Sequence, residues 1–312
     1  MSTLAAARTE VRSDPHRAAR RRKLLRNIGI FSLFAGPNVI LLLVFTYRPM
    51  FQGFYYSLLN WQLGSHRAQF IGLQNYVEWF TNPETPKVLT TTVVYTVVSV
   101  AGSMILGLAL ALALNRKLFG RGAVRTISFA PYVLSGIAVG FTFLYIFNPS
   151  IGLLSQLLGA VGVQSPPWFT QEPWALIMII LVTLWKSVGY VALIYLAGLQ
   201  SVPQEVREAA DLDGAGWWST YRRVIVPLLG PITLFLLVTL TLSSLQSFDL
   251  IRSMTNGGPL GSTKTLMYQV YVEGFLIGRG GYGSAVATIL FVILLAITAF
   301  QITVLEKRVH YQ

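Results

Sequence analysis

Residues 205–227 read EVREAADLDGAGWWSTYRRVIVP, a polar and charged stretch set between two long apolar runs. The pattern predicts two short helices and a tight turn. Ser201 and Gln204 stand at capping-box spacing, and Pro203 falls where a first-turn proline is tolerated. Gly214 and Gly216 interrupt the first helix, glycine being the residue that readily takes the left-handed conformation a helix stop needs. Trp217, Tyr221 and Val224 share one face of the second helix, and Pro227 is expected to end it. Val206, Ala209 and Ala210 form a face of small side chains that lets another backbone come close. Glu208 there offers a carboxylate to a partner's cation or helix N-terminus. A hairpin of this kind between two membrane spans is best explained as a plug for a groove in another polypeptide.

The surroundings of the hairpin set the fold class. The 312-residue chain is 54% hydrophobic and only 12% charged, against about 25% charged in soluble domains. Apolar runs lie at 28–47, 89–114, 126–147, 174–199, 229–250 and 283–305. Each is long enough for a hydrocarbon core of roughly 30 Å, which takes ~20 helical residues. In lipid such runs must be helical, because every backbone donor and acceptor has to find its partner within the segment. The expectation is an all-α membrane protein: six transmembrane helices with a cytoplasmic helix-turn-helix loop at 201–227. A basic tail at 1–27 precedes the membrane domain at 28–305, and a short tail at 306–312 follows it. No cysteine is present, which removes disulfides and Cys-based metal sites.

Orientation follows from lysine and arginine. One side of the membrane receives eight of them in the N-terminal tail, then Arg116, Lys117, Arg121 and Arg125, then Arg207, Arg222 and Arg223, then Lys307 and Arg308. The other side receives Arg48, Arg67, Lys87, Arg252, Lys264 and Arg279. This bias predicts cytoplasmic termini and a cytoplasmic hairpin. It also accounts for the net charge of +12 without nucleic acid, which is not an expected partner. Membrane lipid is.

The outer loop at 48–88 is rich in aromatic residues, as a membrane-interface belt would be. Asn148–Leu153 and Pro166–Trp168 mark a further outer loop with a short interfacial helix, and Asn256–Pro259 is a turn signal. Pro131 and Pro231 are expected to kink spans three and five.

Two charges fall inside predicted spans: Lys186 near the middle of span four and Asp249 near the outer end of span five. A charge there is costly and normally faces a cavity or a partner. Lys186 is therefore expected either to meet a solute or to serve structurally, bonded to a neighbouring helix or paired with Asp249. Tyr145, Tyr190, Gln246 and Asn256 offer hydroxyl or amide groups at the depth a polyol would pass. Each is equally suited to holding helices together. Catalytic constellations, metal-ligand spacings and a Walker-type phosphate loop are all missing from the sequence. An enzyme is thus disfavoured. A secondary transporter would need more intramembrane carboxylates than Asp249 alone.

The hairpin resembles the coupling loop of permease subunits in ABC importers, whose pattern is E-A-A, three residues, G, nine residues, I-x-L-P. Glu208, Ala209, Ala210, Gly214 and Pro227 match at that spacing, with Asp213 beside the glycine; Val224 and Val226 replace the apolar pair. FIGLQNYVEWF at 70–80 resembles the external loop of carbohydrate-importer permeases, a plausible docking surface for a binding protein. The stretch from Asn256–Pro259 onward resembles the matching part of sugar-importer permeases, and Tyr271–Phe275 with the VLEKRVHYQ tail is similar to the branch serving glycerol-3-phosphate importers. The resemblance implies a bacterial inner-membrane subunit working with a second permease, two ATPase subunits and an extracytoplasmic substrate-binding protein. ATP and Mg would sit on the ATPase, with no cofactor on this chain. The implied solutes are glycerol-3-phosphate or glycerophosphodiesters, with di- or oligosaccharides as the alternative.

Overall fold

The computed structural model describes residues 15–116, 120–212, 214 and 216–305. Residues 1–55 and 56–312 form two separate units. In the first, helix α1 (Pro15–Leu42) passes through one wide turn at Leu43–Tyr47 into α2 (Arg48–Tyr56). The helix overruns the expected span at both ends. It starts within the basic segment, where Pro15 suits a first helical position. It then continues through residues 48–56, placed in the outer loop by sequence. Pro49 does not stop it, because the wide turn ends just before it and the Arg48 amide reaches the Leu43 carbonyl. That register shift absorbs both the missing proline donor and the ring's clash with the preceding turn.

The second unit opens with an antiparallel hairpin, β1 (Leu59–Trp61) against β2 (Ala68–Phe70). Then come α3 (Gln74–Thr81), α4 (Thr85–Leu114), α5 (Arg121–Val133), α6 (Gly136–Ile146), α7 (Leu153–Ala160) and α8 (Trp174–Ser201). After these follow α9 (Gln204–Leu212), α10 (Trp217–Thr220), α11 (Val226–Leu228), α12 (Gly230–Leu245), α13 (Asp249–Met254), α14 (Leu266–Tyr271) and α15 (Gly280–Phe300). Among the described residues, five helices are long and apolar enough to cross a membrane, or six if α5 and α6 count as one span. The third span is not the single helix expected: α5 and α6 meet at 101°.

The centre of the unit is the pair α4–α8, drawn together by small residues. A methyl added to Gly102 would meet Leu184, and one on Gly107 would meet Val191. Ser103 and Ser187 hydroxyls lie 2.7 Å apart across the same seam. The backbone of α5 rests directly on α8 at Gly189, where a Cβ would fall 1.7 Å from the Ser128 carbonyl oxygen. Small residues at such crossings replace the hydrophobic drive that lipid cannot supply.

The segment 70–80 is anchored by two buried side chains. Asn75 donates to the Ser57 and Leu59 carbonyls at 2.8 and 3.0 Å, and buried Trp79 donates to Gln269 at 3.1 Å. Phe70, Val77 and Phe80 alone among its larger apolar side chains face outward with Leu73. Arg279 donates to Glu78 at 2.5 Å and lies 3.7 Å from Glu273, tying α3 to the start of α15. Glu273 is buried, and its Oε2 has no hydrogen-bond donor. Burial pushes its carboxyl above the usual range, with Arg279 pulling the other way.

Gly189→Ala should loosen α5 from α8 at a cost of about 1–3 kcal/mol, seen as a lower melting temperature in detergent; an unchanged melt would show the crossing to be slack. For Glu273 the raised pKa means that its stabilisation is present below the ordinary glutamate value and is lost as pH rises through the raised one. Glu273→Gln should therefore melt higher than the parent at neutral pH, and the gap should close towards pH ~4. A gap that widens on acidification would contradict this.

Candidate functional site

The site is built where two spans are interrupted. Pro131 has no amide to donate, and α5 ends two residues later at Val133. Leu134 and Ser135 are extended, with ψ of 144° and 130°, before α6 begins at Gly136. A break at membrane depth leaves the last carbonyls of α5 and the first amides of α6 without intrahelical partners. Both ends receive a charge of the complementary sign. The Lys186 ammonium donates to the Tyr132 carbonyl at 3.2 Å and lies 5.8 Å from the centre of its ring. The Asp249 carboxylate packs on Gly136, where a Cβ would fall 2.7 Å from Asp249 Cβ and 2.9 Å from Oδ2. A cation at a helix C-terminus and an anion at a helix N-terminus are the favourable arrangement.

Asp249 can reach α6 because span five is interrupted too. Its helix stops at Leu245, residues 246–248 leave helical geometry, and α13 restarts at Asp249. Farther along, Ser253 packs on Gly140, so Gly136 and Gly140 form one small-residue face on α6 against α13.

A cavity of about 290 Å³ opens at this junction, between an outer apolar cluster around Met178 and Ile251 and an inner one around Val191 and Leu236. Eleven of its nineteen lining residues carry hydroxyls, and its only charged ones are Lys186 and Asp249. Tyr95 bonds to Ser247 at 2.9 Å and Thr183 at 3.1 Å. The Tyr132 and Tyr190 rings stack with centroids 4.3 Å apart. Ser99 and Ser244 line the cavity with buried hydroxyls that have no partner among the described residues. The wall can thus exchange hydrogen bonds with a hydroxylated molecule on several sides.

Four sequence candidates, Lys186, Tyr190, Gln246 and Asp249, line this cavity together. Tyr145 does not; it is 60% exposed on α6. Asn256 lies in the loop after α13, accepts a hydrogen bond from Arg252, and borders a separate depression. The ion pair weighed between Lys186 and Asp249 is not among the four ion pairs of the described residues. Each charge serves a different helix end instead. Tyr95, Ser99 and Ser103 were missed by sequence reasoning, although hydroxyls recurring every four residues in an apolar run mark one helical face.

The hairpin of residues 201–227 also differs in detail. Ser201 does not form the capping box; it closes α8, its hydroxyl donating to the Gly198 carbonyl at 2.9 Å. Gln204 instead donates to exposed Glu208 at 2.7 Å along α9. Gly214 has φ of +72°, the left-handed value the turn needs. Pro227 does not end the second helix. A wide turn at Tyr221–Ile225 ends two residues before it, with the Val226 amide on the Tyr221 carbonyl, and only Leu229 separates α11 from α12. Ile225 and Leu229 are buried in the inner apolar cluster, whereas Leu212 and Trp218 project at 89% and 66% exposure. Asp213, and the side chains of Ala209 and Ala210, lie outside the described residues. Among the described residues no group of His, Asp and Glu could hold a metal.

The family described as binding-protein-dependent transport system inner membrane component matches residues 103–311. The chain is 35% identical over 280 residues to the sn-glycerol-3-phosphate transport system permease protein UgpA of Agrobacterium fabrum, covering 89% of this chain and 95% of that one. It is 35% identical over 286 residues to the multiple sugar-binding transport system permease protein MsmF of Streptococcus mutans, covering 92% and 98%. In fold it resembles a chain from the crystal structure of a bacterial ABC transporter involved in the import of the acidic polysaccharide alginate. The TM-score is 0.80 at 23% identity, over 91% of this chain and 99% of that one.

Because their hydroxyls are buried without partners, Ser99→Ala and Ser244→Ala should leave the melting temperature of the purified chain unchanged or slightly raised, within about 1 kcal/mol. A large drop would mean that these hydroxyls hold the helices together rather than line a binding surface.

Proposed function

The chain belongs to the binding-protein-dependent transport system inner membrane components, as a multi-pass permease subunit of an ABC importer, and from that premise we propose how it handles its solute. The termini and the hairpin face the cytoplasm. A second permease completes the path, two ATPase subunits seat the hairpins, and a substrate-binding protein delivers the solute from outside. Exposed Leu212 and Trp218, with Glu208, Ala209, Ala210, Asp213 and Gly214 between or beside them, are the contact to the ATPase. ATP and Mg are bound there and not on this chain.

The observation that carries this reading is the continuity of one helical limb. From Trp217 the chain runs helically past Ile225 and Leu229, buried in the inner cluster, into α12, whose far end supplies Thr239, Ser243, Ser244 and Gln246 to the cavity. A displacement of the hairpin by an ATPase therefore reaches the cavity wall without crossing a flexible loop. Alternating access follows when the two ATPases close on ATP and open after its hydrolysis.

The solute is hydroxyl-rich: glycerol-3-phosphate or a glycerophosphodiester, in line with the relative from Agrobacterium fabrum. A sugar is the second reading, favoured by a lining with eleven hydroxyl residues and one ammonium already bonded to a carbonyl. Reconstitution with the cognate binding protein and ATPase, followed by uptake of labelled glycerol-3-phosphate and of neutral oligosaccharides, separates the two. Import of neither class at the expense of ATP would overturn the proposal. Gly214→Val, which forces a β-branched residue to positive φ, should lower import at least about tenfold while ATP hydrolysis continues. Normal import by that variant would remove the lever role.

A further inference from the structure

The break in span three has half-helix ends inside the membrane, the feature by which discontinuous-helix transporters hold charged solutes and ions. In this chain each end already has a charged neighbour. Lys186 donates to the Tyr132 carbonyl at the end of α5, and the Asp249 carboxylate lies against the first residue of α6. Neither charge is neutralised by the other, since they form no ion pair. Resting on the importer reading above, we propose that Lys186 and Asp249 are positioning residues. They act as a tethered cation and a tethered anion that hold α5 and α6 bent by 101°, and they leave solute recognition to the hydroxyls.

Three observations converge on this role. The Tyr132 ring that Lys186 approaches also stacks on Tyr190, so the carbonyl end of α5 is held by two neighbours on α8. Gly136 permits the close approach of Asp249, and any side chain at that position would drive the carboxylate away. The interruption at residues 246–248 sets Asp249 at the start of its own short helix, facing α6, so span five is broken in the place that supplies the anion. An anionic solute would have to displace Asp249 to reach the amide end of α6. The hydroxyl-bearing residues of the cavity wall could meet it without any such exchange.

The chain has no cysteine, so paired spin labels can be placed cleanly. Val124 on α5 and Phe141 on α6 are exposed and lie on either side of the bend. With labels at Val124→Cys and Phe141→Cys in the complete transporter, electron–electron distance measurements should give one narrow distribution. Lys186→Gln, Asp249→Asn and Gly136→Ala should each broaden it towards longer distances. Maximal uptake should fall roughly tenfold while half-saturation stays within about twofold, and Lys186→Arg should keep both close to the parent. The Gly136 variant retains both charges, so it tests the geometry even where a charge-removing variant fails to assemble. An unaltered label distance in these variants would overturn the inference. So would a half-saturation raised more than about tenfold at unchanged maximal rate, which would make Lys186 or Asp249 a solute ligand. The distance reads the bend without any solute, so it stands apart from the question of what is transported: a parent complex that imports neither glycerol-3-phosphate nor a sugar would sink the function and not the bend.

Discussion

A helix interrupted inside a hydrocarbon layer must find partners for the backbone groups it releases, and this constraint arranges the centre of the molecule. The break after Pro131 exposes carbonyls on one side and amides on the other. Beside those ends lie an ammonium from α8, bonded to the Tyr132 carbonyl, and a carboxylate from α13, packed on Gly136. Around them the small residues Gly136, Gly140 and Gly189 bring α6 close to α13 and α5 close to α8. The cavity is what remains between helices that bend away from one another.

Pro49, Pro131 and Pro227 have two outcomes. Ahead of Pro49 and Pro227 the helix widens for one turn and continues in its direction, because the added residue shifts the carbonyl that the ring would strike. After Pro131 there is no wide turn, and two extended residues redirect the chain by a right angle. The difference has mechanical meaning. A continued helix is what the proposed lever from Trp217 through Leu229 into α12 requires. A broken one makes room, and it does so at the level where α12 ends.

Much of this was legible in the residues. The six apolar runs gave the helices, since length and hydrophobicity alone dictate them in lipid. Lys186 and Asp249 stood out as charges in apolar surroundings, and Gly214 with Gly216 as a helix stop, of which Gly214 takes the left-handed conformation. Tyr95, Ser99 and Ser103 were readable as a hydroxyl stripe, yet nothing local says whether a stripe faces lipid, a neighbour or a cavity. Both Ser99 and Ser103 line the cavity, yet the Ser103 hydroxyl bonds to Ser187 and that of Ser99 is buried. Tyr145 and Asn256 failed as candidates for the same reason, their depth being legible and their direction not.

The sequence by itself determined the membrane class, the number of apolar segments and the polar hairpin, because these depend on composition and spacing along one segment. Only the tertiary structure decided that Pro131 turns its span through 101° while Pro227 leaves its helix running, and that Lys186 and Asp249 complement two helix ends rather than each other. Those outcomes depend on which side chain is brought beside a released backbone group, and that is set by neighbours far away in the chain.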